Sequence, residues 1–128
     1  MKYCLFTLFS IMLSLGLYAQ SGNCSSFKSG KFTSTYEGRI AIIERNGSIQ
    51  NEYLTNSKDS LKMSFNINWL DDCTYTLTPT KESYLKYPKL PRNAVITIKI
   101  LNVSSNSYTQ SSTSNFNSKV IISKVVRL

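Results

Sequence analysis

The chain contains no histidine. That absence removes Ser-His-Asp and Cys-His nucleophilic arrangements, histidine metal sites and the usual general base near neutral pH. Glycine is scarce as well. The five are Gly16, Gly22, Gly30, Gly38 and Gly47, never clustered, so no phosphate-cradling glycine loop is present. Acidic residues number 7 against 15 basic ones. Only Asp71-Asp72 places two carboxylates side by side; Glu37, Glu44, Glu52, Asp59 and Glu82 stand alone. A carboxylate pair could support hydrolysis, and a calcium site would need further oxygen ligands. Turn residues beside a cysteine is the plainer reading of Asp71-Asp72. The sequence therefore leads us to expect a non-enzymatic protein with no catalytic residues, no metal and no cofactor.

Long apolar runs are also rare, and the one that stands out opens the chain. Met1-Lys2 gives a positive start, the run Cys4–Leu17 follows, and Tyr18-Ala19-Gln20 ends it. This is the layout of a secretory signal peptide over residues 1–19, cut after Ala19. With 14 apolar-rich residues it falls short of the roughly 20 that span a bilayer. Lipidation at Cys24 is the alternative, but Asn23 before that cysteine fits it poorly. The expected product is exported, periplasmic or extracellular, without a transmembrane anchor after cleavage.

Cleavage would leave 109 of the 128 residues as a single domain over residues 20–128, and would lower the formal charge from +8 to +7 by removing Lys2. Such a charge favours anionic partners, but the basic residues are scattered and form no polybasic run, so no specific nucleic-acid partner is expected. Cleavage also removes Cys4 and leaves Cys24 and Cys73, an even count that argues for a disulfide in an exported chain. Two buried free thiols are the alternative.

The mature sequence reads with period two. Leu61, Met63, Phe65, Ile67 and Trp69 alternate with Lys62, Ser64, Asn66 and Asn68, the mark of a half-buried strand. Arg39–Arg45 and Ser48–Thr55 flank Asn46-Gly47, which predicts a hairpin with a type I′ turn. Asn56–Asp59 predicts a turn into the Leu61 strand, and Leu70–Asp72 a turn out of it. Cys73–Thr78, Ala94–Val103, Tyr108–Thr113, Lys119–Leu128 and Lys31–Tyr36 read as further strands. Pro88 and Pro91 break the segment between Pro79 and Asn93 into loop, with room for one helical turn over Glu82–Lys86. About eight short strands joined by tight turns predict an all-β fold: a small antiparallel up-and-down barrel or strongly curved meander. A two-sheet sandwich is the alternative.

Two features could bind. The first is the apolar stripe around Met63, Phe65, Ile67 and Trp69, with Phe32, Tyr75, Ile98 and Ile100. In a closed barrel this face lines the interior, which either fills with side chains or holds a small apolar ligand. Phe65, Ile67, Trp69 and Tyr75 are the ligand-binding candidates. The second is a segment in which Lys81, Lys86, Lys89 and Arg92 interleave with Tyr84, Tyr87 and prolines. Basic and aromatic residues on a long loop suit a polyanion, glycan or protein partner; a solvated linker is the alternative.

The spacing Cys24-x-x-Phe27-Lys28-x-Gly30-x-Phe32, then Arg45 and Glu52, then Ile67-x-Trp69-Leu-x-x-Cys73-x-Tyr75-x-Leu77 resembles a group of short exported bacterial proteins of unknown function. Such chains sometimes carry the label DNA topoisomerase IV. An exported 109-residue domain has no room for a DNA gate, and no nucleotide site or breakage-reunion motif is visible. The early Gly-x-Phe before a β meander is also similar to lipocalins. That resemblance implies a barrel with a pocket for a small apolar or amphipathic ligand, or for a cell-envelope component.

Overall fold

A computed structural model describes residues 23–54 and 61–128. The expected signal peptide and the expected Asn56–Asp59 turn lie outside the described residues. The strands are β1 (Gly30–Tyr36), β2 (Arg39–Asn46), β3 (Ile49–Leu54), β4 (Lys62–Asp71), β5 (Thr74–Pro79), β6 (Ile96–Leu101), β7 (Ser107–Ser114) and β8 (Ile121–Arg127). Each pairs antiparallel with the next, and β8 returns to β1 through Phe32↔Arg127 and Ser34↔Val125. The sheet is one closed barrel, so the two-sheet alternative is excluded. Closure leaves no edge strand to template aggregation.

Register fixes which side chains point inward. Phe32 faces Ile43, Ile43 faces Glu52 and Glu52 faces Met63. Further round, Ile67 faces Leu77, Leu77 faces Ile96, and Tyr108 faces Val125. Because neighbours in register share a face, the interior contains the expected apolar stripe and also Ser34, Arg45, Gln50, Glu52, Gln110, Ser112 and Ser123. Buried Phe27, Phe32, Ile43, Phe65, Tyr75, Leu77, Ile98, Tyr108 and Val125 form the core.

The turns differ in detail from expectation. Asn46 is the last paired residue of β2, and Gly47-Ser48 form the two-residue loop, with φ +59° at Gly47. Glycine first in the loop is the type II′ arrangement. The type I′ pattern falls instead at Glu37-Gly38, where φ is +47° and +73°. The β4–β5 turn lies one residue later than expected, at Asp72-Cys73. A bulge between Trp69 and Asp71 carries β4 further before it reverses.

A 3-10 turn over Cys24–Phe27 precedes β1 and plugs the barrel end where β1 begins. Asn23 caps it, its side chain accepting from the Ser25 N–H at 3.0 Å. The Cys24 and Cys73 sulfurs lie at bonding distance, 1.98 Å, with Cα atoms 5.2 Å apart, so they fasten the plug to the β4–β5 turn. Closing a loop with sequence separation 49 stabilises by about 4 kcal/mol on the chain-entropy argument. A short helix, α1 (Lys81–Lys86), is capped by Thr80 and lies on the outside of β4. Buried Ser83 donates to the Ser64 carbonyl and accepts from the Ser64 N–H, both at 2.8 Å. It thereby completes the β4 ladder just beyond the end of its pairing with β5.

Candidate functional site

The barrel has two unlike ends. At the plugged end, Arg45 is 3% exposed. Its Nε donates to Gln50 Oε1 at 2.7 Å and its Nη1 to the Phe27 carbonyl at 2.7 Å. Its Nη2 donates to the Tyr75 and Tyr108 hydroxyls at 2.9 and 2.7 Å. Four of the five guanidinium N–H donors are thus held by the protein itself. The Phe32 and Tyr75 rings lie 4.8 and 5.0 Å from the guanidinium carbon, so aromatic faces also offset the buried charge. Burial disfavours that charge; the tyrosine hydroxyls and the Glu52 carboxylate more than compensate, and the pKa is held above its usual value. Arg45 is a structural cation, with little left to offer a ligand.

A second arginine seals the outside of the plug. Arg127 stacks over Phe27 and Phe32 at 5.2 and 4.9 Å and donates to the Ser26 and Ser29 carbonyls. Gly30 makes room for it: a Cβ there would sit 2.5 Å from Arg127 Nη1, and its φ of +134° suits glycine alone.

Towards the other end the packing stops short. A cavity of about 280 Å³ occupies the open half of the barrel. Its apolar wall includes Ile43, Phe65, Leu77, Ile96 and Ile98. Its polar wall includes Gln50, Glu52, Gln110 and Ser112, and Tyr36, Phe116, Asn117 and Lys119 stand around the mouth. Gln110 is 8% exposed, and its Oε1 has no hydrogen-bond partner. A buried, unpartnered amide oxygen is costly. Glu52 accepts from Gln50 Nε2 at 2.8 Å, which links it through Gln50 to Arg45. Burial raises the Glu52 pKa, while the Gln50 hydrogen bond and the Arg45 charge pull it down; the net direction is up. Burial thus disfavours the charged form of a carboxylate that faces the cavity.

The expected site residues divide between these regions. Phe65 and Tyr75 line the cavity. Ile67 and Trp69 lie outside it, in and against the core towards the plugged end, where Trp69 stacks on Tyr75 at 4.5 Å and carries Lys28 at 5.1 Å over its ring. Asp71 and Asp72 sit at the plugged end too. Asp71 accepts from the Cys73 N–H at 2.8 Å, which lowers its pKa, and Asp72 pairs with Lys28 at 3.1 Å. They serve the turn, as read from the sequence. No group of three metal-ligating side chains occurs among the described residues.

The basic and aromatic segment is built into the barrel wall. The Tyr84 hydroxyl donates to the Pro91 carbonyl at 3.1 Å and accepts from the Ala94 N–H at 3.2 Å. The Tyr87 hydroxyl donates to the Lys62 carbonyl at 3.2 Å. Both tyrosines therefore hold the segment in shape, whereas Lys81, Lys86, Lys89 and Arg92 are exposed. A groove of about 610 Å³ between Pro79, Lys81, Leu85, Pro88 and Arg92 runs along it.

Arg45, Gln50, Glu52, Tyr108 and Gln110 carry the interior chemistry and were not among the expected site residues. The signal was strand parity: Arg45 is two residues from Ile43, and Gln110 two from Tyr108.

Fold and cavity define a class: a closed eight-stranded antiparallel barrel, plugged at one end and hollow at the other. Compared with protein-family models, with curated proteins and with solved structures, the chain matches none.

Proposed function

We propose that the protein is an exported, non-enzymatic binding module that holds one small amphipathic ligand in the open half of the barrel. The observation that carries this reading is the cavity itself, with a packed floor below and an unpartnered amide in its wall. At about 280 Å³ it falls just below the roughly 300–1,000 Å³ of ligand clefts, so the ligand is small. Its apolar part lies against Phe65, Leu77, Ile96 and Ile98. Its polar head meets Gln110 and Glu52, a pair rich in acceptors that favours a hydrogen-bond donor over an anion. The lipocalin resemblance supports the same reading. Export agrees with the paired cysteines, which suit an oxidising compartment; no described helix is long and apolar enough to cross a membrane.

Native mass spectrometry on protein exported from a bacterial host tests the proposal. One adduct per chain, lost on denaturation, is the expected result, together with the two-proton loss of a disulfide. A bare monomer would overturn it and favour the second reading. In that reading a packed barrel acts through its surface, at the groove along Lys81–Arg92. Neutralising Lys86, Lys89 and Arg92 would then abolish partner capture without changing the melting temperature.

A further inference from the structure

The exposed side chains are as unevenly shared between the two ends as the buried ones. Eleven large apolar side chains are exposed among the described residues, and only Leu70, Leu101 and Leu128 belong to the plugged end. Of the other eight, Leu85 lies on α1 and seven stand where strands meet the open end. Tyr36 ends β1, Leu54 ends β3, Leu61 precedes β4, and Phe116, Val120 and Ile122 follow one another from the β7–β8 connection into β8. Because β8 adjoins β1, they form an arc from β7 round to β4.

Charge follows the same division. Both ion pairs among the described residues, Lys28–Asp72 and Lys31–Glu44, lie towards the plugged end. The open end carries exposed Arg39, Lys81, Lys86 and Lys119 against the acids Glu37 and Glu82. Apolar residues interleaved with cations around one rim match an anionic lipid surface, where the apolar groups enter the interface and the cations meet headgroups. A purely polyanionic partner accounts for the cations alone.

We infer that the open rim of the barrel docks on an anionic lipid bilayer, placing the mouth of the cavity against the membrane. The inference goes beyond the ligand reading: Tyr36, Phe116 and Lys119 belong to both the rim and the cavity mouth, Leu54, Leu61, Val120 and Ile122 to the rim alone. Vesicle binding and the retained adduct are separate measurements, so either can fail alone.

The test is co-sedimentation of the exported protein, its mass first checked, with vesicles of phosphatidylcholine alone or mixed with phosphatidylglycerol. Binding to the anionic vesicles only, weakened by salt, is expected. Phe116→Ser with Val120→Ser should reduce binding at least tenfold, and Arg39→Gln with Lys119→Gln should cost roughly fivefold per cation removed. Leu70→Ser with Leu101→Ser, at the plugged end, should bind as the parent does. Unchanged melting and an intact disulfide show that each variant is folded. Equal binding to both vesicle types, no binding, or binding indifferent to the rim variants would overturn the inference. So would binding lost with the cations but not with Phe116 and Val120, which would mark a polyanion partner.

Discussion

The plugged and open halves of this barrel use the same kinds of residue to opposite ends. Below, Arg45 is enclosed by aromatic rings, and four of its N–H groups are spoken for. Above, Gln110 and Glu52 line a space the chain leaves unfilled, and one amide oxygen has no partner. A satisfied polar network in a low-dielectric interior rigidifies and fixes one arrangement; an unsatisfied one is a standing cost unless something else completes it. Polarity inside a barrel is therefore no sign of a site by itself. The distinction lies in whether the protein has already met the hydrogen bonds.

The largest effect that can break this comparison is at Arg45. Arg45→Met removes the charge but leaves Gln50, the Phe27 carbonyl, two tyrosine hydroxyls and Glu52 without it. Removing one partner from a buried charged network costs about 3–5 kcal/mol, much of the ~5–15 kcal/mol typical of a whole domain. Thermal or denaturant melting should show a protein barely folded at room temperature. A loss under about 1 kcal/mol would mean the network is incidental.

A substitution at Gln110 should act in the other direction. Gln110→Leu removes a buried acceptor whose desolvation costs about 1–3 kcal/mol. The variant should melt at or above the parent temperature while losing its adduct in native mass spectrometry. Stability gained as binding is lost is the trade-off of a functional site. A destabilised variant that retained its adduct would place Gln110 in the structural set with Arg45.

The smallest effect is a pH dependence at Glu52. Its folded pKa lies above the ordinary 4.5, with burial as the leading cause. Its contribution is therefore fully present below the unfolded value and is lost as pH rises through the folded one. Glu52→Gln should remove that fall, so that variant and parent diverge as pH climbs above the ordinary 4.5. Parallel stability curves across that range would show that Glu52 does not feel its burial.

Much of the fold was legible because period-two alternation is local. The Met63–Trp69 stripe, the Cys73–Thr78 run and the two cysteines led to the strands, the barrel and the sulfur pair. The site was less legible. Arg45, Gln50 and Glu52 are polar, and a polar residue in a strand reads by default as facing water. Yet Arg45 shares parity with Ile43, and Glu52 is the register partner of Ile43. Only closure of the barrel brings β2, β5 and β7 close enough for Arg45 to reach Tyr75 and Tyr108, and no local pattern encodes that meeting. The same limit explains Trp69. Parity turned it inward correctly, but its height along the barrel, near the plug, follows from the register of eight strands together.

Residue-resolved amide hydrogen exchange on the exported protein tests the contrast between the two halves most directly. Local stability follows packing and satisfied hydrogen bonds. Ladder amides around Phe32, Arg45, Tyr108 and Val125 should therefore exchange only through global unfolding, and those around Ser112, Ser114 and Ile121 faster, through local opening. Uniform protection along every strand, or faster exchange beside Arg45 than beside Ser112, would contradict the division into a packed floor and an accessible chamber.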